Sequence, residues 1–142
     1  MIDALENRVG ISIKFRCDCA VRELVRKSGG CIRDLMNLCQ EAFLGAGEVV
    51  TQGGVERAIE TVRSEFSRKI KTSHYPLLAS IHLSRSIAND PDHRELLFRR
   101  DVLEYNYDEE RWADVHPLVQ GMREYKRALE EEKGERGAAS TP

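Results

Sequence analysis

The residues of this 142-residue chain whose types could do chemistry are four cysteines, four histidines and one short glycine–arginine cluster. Cys17, Cys19, Cys31 and Cys39 follow the spacing C-x-C-x11-C-x7-C. Structural zinc sites usually begin with a C-x(2–4)-C knuckle, and the chain has none. Cys31 and Cys39 fall on an amphipathic pattern, so reduced, partly buried thiols packing as small hydrophobes are expected. Zinc ligation is the alternative, and disulfides would need an oxidising compartment that nothing in the sequence suggests. His74, His82, His93 and His116 are scattered without a tight ligand pair, so no metal site is expected. His82 falls on the inner side of its helix and reads as a satisfied or semi-exposed histidine before a catalytic one. His116 precedes Pro117 and is expected to bond to neighbouring backbone. Asp108, Glu109 and Glu110 crowd one turn and read as a solvated tip. No G-x-x-x-x-G-K-[ST] loop, G-x-S-x-G elbow or H-E-x-x-H pair occurs, so no catalytic residue and no self-contained enzyme is expected.

Composition narrows the class further. The chain is 41% hydrophobic, and 22 Lys and Arg stand against 24 Asp and Glu, a net charge of −2. Such a balance excludes a strongly basic nucleic-acid binder of the histone type. No apolar run approaches the roughly 18 to 20 residues that cross a bilayer, and the N-terminus lacks a signal-peptide pattern. A cytoplasmic protein that does not engage membrane is the expectation.

Helical periodicity must position these groups. Asp3 to Arg8 reads as the end of a helix, followed by an irregular apolar stretch to Phe15. Asp18 is a plausible N-cap for a helix carrying Val21, Leu24 and Val25 inward. It stops at Ser28-Gly29-Gly30, where glycine supplies a left-handed turn. A second helix runs from about Cys31 to Leu44 with Ile32, Leu35, Met36, Cys39 and Phe43 as its apolar stripe. Thr51 caps a third, whose stripe is Val55, Ala58, Ile59, Val62, Phe66 and Ile70. A composition shift near Lys71 predicts a boundary after residue 72, with a net charge of +2 before it and −4 after it. Beyond it come a helix over about 75–88 and a short one over about 91–99. A hairpin of 102–106 and 111–116 follows, its docking face expected from Leu103, Tyr105, Trp112 and Val115. A last helix carries Leu118, Met122, Tyr125 and Leu129 along one side, and residues 134–142 read as a disordered tail. The fold class is mainly α.

The run Leu24-Val-Arg-Lys-Ser-Gly-Gly-Cys-Ile-Arg-Asp-Leu-Met36 resembles the lid subdomain of AAA+ ATPases, particularly initiator-like relatives. In those lids a helix ends in Ser-Gly-Gly, and the next opens with the sensor-2 arginine in the sense G-x-x-R-x-L. Here that pattern falls on Gly30, Arg33 and Leu35, and Thr51 through Ile59 resembles the closing lid helix. Cys31-Ile32 departs from the small or proline-type residues more familiar there. The resemblance covers about residues 1–72 and implies a three- to four-helix lid bundle. Residues 73–133 resemble the small winged-helix domain often appended to such lids. Leu103-Glu-Tyr-Asn106 with Arg111 to Leu118 is similar to the C-termini of poorly characterised bacterial P-loop ATPases.

The resemblance implies the C-terminal fragment of an AAA+-like ATPase. Gly30 and Arg33 would sense nucleotide, and ATP would bind only with a core carrying the Walker loops, its partner in the parent chain. A helix start offers free N–H groups and a positive dipole end, and an arginine in its first turn can reach the γ-phosphate. The plain alternative is an ordinary helix–helix turn with a surface arginine. The competing function is a free-standing winged-helix DNA-binding or protein-interaction adaptor. Arg85, Arg94, Arg99 and Arg100 would then meet phosphates or a partner, although the acids at 108–110 would repel a DNA backbone.

Overall fold

The computed structural model describes residues 14–139, so the helix end expected at Asp3–Arg8 lies outside the described residues. The architecture is mainly helical, and two compact units divide between Val62 and Arg63. The composition shift lies further along, after residue 72.

In the first unit, β1 (Lys14–Phe15) pairs in parallel with β2 (Val49–Val50), Phe15 opposite Val50. α1 (Asp18–Lys27) is N-capped by Cys17 rather than Asp18, and it buries Ala20 and Leu24 while Val21 and Val25 are half-buried. Cys17 and Cys19 form a disulfide, which corrects the expectation of four reduced thiols. Asp18 between them is helical, and that backbone sets the two flanking Cα atoms 5.3 Å apart, inside bridging range. Cys31 and Cys39 are free, and burial pushes the Cys39 thiol up.

α2 (Ile32–Leu44) turns a different face inward from the one its period suggests. Asp34, Leu38, Cys39 and Ala42 are buried, whereas Ile32 is 71% and Met36 42% exposed. The helix is apolar on more than one side, and α1 is in contact with it. α3 (Gln52–Lys69) buries every residue of its predicted stripe that lies within it, and Ile70 just beyond its end. Thr51 Oγ1 accepts the Gly54 N–H at 3.2 Å, the capping bond the sequence predicts.

The second unit takes the end of α3, then α4 (His74–Ser84), α5 (Pro91–Phe98), β3 (Val102–Tyr107) and β4 (Glu110–Val115). α6 (Pro117–Gln120) and α7 (Arg123–Ala139) follow. The hairpin is antiparallel with Val102 opposite Val115 and Tyr105 opposite Trp112. This register sets Val102, Ala113 and Val115 on one face, all buried, and Leu103, Tyr105 and Trp112 on the other, all half-buried. Of the four residues expected on the docking face, only Val115 lies on the fully buried side, and Leu103, Tyr105 and Trp112 lie on the opposite face. Asp108 opens the turn at φ 56°, a conformation that Asp tolerates better than most residues.

The last helix is interrupted. Arg63 occupies the space a side chain at Gly121 would need, its Nε donating to the Leu118 carbonyl at 2.9 Å. α7 then continues through residues 134–139, where the sequence predicts a disordered tail; 140–142 lie outside the described residues. Its end is tied by Arg136, which pairs with Glu132 at 3.2 Å and donates to Ser80 Oγ at 3.3 Å.

Two glycines follow Thr51 in the first turn of α3, so the cap carries more of the helix start than usual. Thr51→Ala is expected to cost about 1 kcal/mol in urea unfolding, with Thr51→Ser keeping most of the stability.

Candidate functional site

Gly29 and Gly30 take φ of 63° and 87° between α1 and α2, the left-handed region where glycine has no steric penalty. Ser28, which is buried, organises this turn. Its Oγ donates to the Val25 carbonyl at 2.6 Å and accepts the Gly30 N–H at 3.3 Å. Cys31 is extended at φ −80°, ψ 112° and starts α2 without a side-chain capping bond. Arg33 therefore stands in the first turn, exposed, with no hydrogen bond or ion pair among the described residues. Among the described residues, no atom comes within 4 Å of where a Cβ on Gly30 would sit, so they leave the space over the turn open. An anion above this turn would meet uncapped N–H groups, the positive end of the helix dipole and a free guanidinium.

The other arginines are placed differently. Arg85 closes α4 in the left-handed region at φ 58°, and its Nη1 donates to Asp114 Oδ2 at 2.9 Å. Its carbonyl accepts the Ala113 N–H at 2.9 Å, fastening β4 to the end of α4. Arg99 pairs with Glu95 Oε1 at 2.6 Å and donates to the Lys69 carbonyl. Arg100 closes α5 at φ 65°, where the Asp101 N–H reaches back to the Leu96 carbonyl. Arg94 is exposed and touches Asn89 at 3.3 Å. These four do not form one patch of unengaged cations.

Asp114 is the residue here that the sequence did not single out. Besides Arg85 it holds His82, whose Nδ1 lies 2.7 Å from Oδ1, so His82 is the satisfied histidine expected. Nothing in local spacing could signal this pair, whose members stand 32 residues apart. A shallow cleft beside them is lined by Arg85, Ser86, Ile87, Glu104, Arg111 and Trp112. Trp112 stacks on Tyr105 with centroids 5.7 Å apart, which fits a packing role. His116 is fully buried against Phe66, and its Nδ1 accepts the Leu118 N–H at 3.1 Å, a bond to neighbouring backbone.

No helix among the described residues is long and apolar enough to cross a membrane. The chain matches no protein-family model, no curated protein and no solved structure.

Asp101 titrates unusually. It is 1% exposed with Oδ2 unpartnered, and burial pushes its carboxyl up to about 6 against the opposing pull of Arg99, His116, His74 and Lys69. The folded state therefore holds this proton at a pH where the unfolded chain has released it. Stability contributed at low pH is lost as pH rises from about 4 through about 6, on the order of 3 kcal/mol. Asp101→Asn should remove that component, so urea midpoints of wild type and variant should diverge across this window, the variant gaining at the upper end.

Proposed function

We propose that the chain is the C-terminal part of an AAA+-like ATPase, a nucleotide-sensing lid followed by a winged-helix-like interaction module. The single observation that carries this reading is Arg33, exposed and unpaired among the described residues, in the first turn of α2 directly after the left-handed Gly29–Gly30 turn. An arginine there reaches a γ-phosphate presented by a Walker core, and losing that contact on hydrolysis would couple nucleotide state to lid position. ATP is bound only with that core, and this chain supplies the sensing arginine, not the hydrolytic machinery. The order α4, α5, hairpin supports the second module.

A protein partner suits that module better than a duplex. Arg85 and Arg99 are held in ion pairs, and the hairpin tip presents exposed Asp108, Glu109 and Glu110. Fold alone does not choose the partner.

The test is ATP turnover by the intact parent ATPase. Arg33→Ala should lower kcat at least about tenfold with the fold preserved by circular dichroism, and Arg33→Lys should fall between. Unchanged turnover in Arg33→Ala removes the sensor assignment. Absence of a Walker loop from both the parent reading frame and its stable complexes removes the ATPase reading entirely.

A further inference from the structure

We infer that His74, Asp92 and Glu95 bind one divalent transition ion of the Zn²⁺ class at the start of α4 and the first turns of α5. His74 is 4% exposed, and neither ring nitrogen makes a hydrogen bond among the described residues. Nδ1 is buried without a partner. Nε2 points at two carboxylates but stops 3.6 Å from Asp92 Oδ1 and 4.0 Å from Glu95 Oε2, beyond hydrogen-bonding reach. An imidazole in this position wants something between itself and the acids. The three ligand atoms lie within 4.8 Å of one another. Two ligands of one tetrahedral zinc stand roughly 3.4 Å apart, so the arrangement needs only a small closure. Asp92, with its side chain 69% exposed, is free to make it.

The groups around the triad already behave as an outer layer. Arg99 Nη2 holds Glu95 Oε1 at 2.6 Å, which leaves Oε2 turned toward His74. Such a bond to the second oxygen is how ligating carboxylates are commonly oriented. Lys71 Nζ sits 3.0 Å from Oε2, on the oxygen the ion would use. Its side chain is 56% exposed, so the ammonium can move to water as the ion arrives. Lys71 is thus a competitor of the metal, an exchange of one cation for another on a single oxygen. One imidazole and two carboxylates suit Zn²⁺ above Mg²⁺ or Ca²⁺, which prefer all-oxygen sites. Water would complete the coordination. This inference does not rest on the ATPase reading.

The experiment is calorimetric titration of ZnCl₂ into the full untagged chain, stripped of metal and kept non-reducing. Co²⁺ serves as a spectroscopic probe. One ion per chain is expected, with Co²⁺ showing no thiolate charge-transfer band in the near ultraviolet. Asp92→Asn and His74→Gln should each weaken binding by about tenfold or more, and MgCl₂ should not compete. Lys71→Ala should tighten it by about threefold or more, the opposite sign, because the competing charge is gone. Asp92 is exposed, so its variant answers the question even where His74→Gln fails to fold. Absence of saturable binding, thiolate-only Co²⁺ spectra, or affinity indifferent to Asp92→Asn would each overturn the site. Binding that Lys71→Ala leaves unchanged or weakens would overturn the exchange.

Discussion

Burial of α4 is the constraint on which residues 63–139 depend. This 11-residue helix buries His74, Tyr75, Leu78, Ala79 and Ile81, so apolar contacts surround much of its circumference. A helix apolar on most sides must be enclosed. α7 and β4 supply that enclosure. Tyr125 and Met122 come in from the C-terminal side, the Tyr75 hydroxyl lying 3.9 Å from Met122 Sδ. The hairpin is held at the other end, where the last residue of the α4 turn accepts a backbone bond from Ala113 and its guanidinium grips Asp114. Removing α4 from this arrangement would leave the hairpin without a floor and α7 without a partner.

Enclosing α4 also brings polar groups inside. His74, Asp101 and His116 are all buried, and the His116 N–H bonds the Asp101 carbonyl at 2.9 Å. Low-dielectric surroundings make the missing partners of Asp101 Oδ2 and His74 Nδ1 costly. Such costs persist only where the surrounding packing over-determines the position, and both residues sit where two elements meet. The acid adjusts by keeping its proton to higher pH, whereas the imidazole faces the carboxylates of Asp92 and Glu95.

In residues 14–62 the organising feature is smaller. Ser28 folds its hydroxyl back onto Val25 and forward onto Gly30, so the chain reverses in a turn that only glycine enters without strain. α1 and α2 are then neighbours in contact, and Arg33 follows at a fixed offset in the first turn of the second helix. α2 buries Asp34, Leu38 and Ala42 and leaves Ile32 and Met36 outside.

Much of this was legible in the residues themselves. The α3 stripe, the Thr51 cap, the Gly29–Gly30 turn, Pro91 at the start of α5 and the hairpin all follow from local rules: periodicity, capping and turn sterics involve neighbours within a few positions. The inward face of α2 did not, because a helix with apolar residues on two sides is resolved only by what packs against it. Nor did the space for glycine at 121, which is set by an arginine far away in the chain. The contact that Arg136 near the end of α7 makes with Ser80 is likewise out of reach of local rules. The chemistry divides along the same line. Gly30 and Arg33 stand three residues apart, so sequence alone determined their juxtaposition. His82 with Asp114, and His74 with Asp92 and Glu95, come from separate elements, and only tertiary packing decided that their side chains meet.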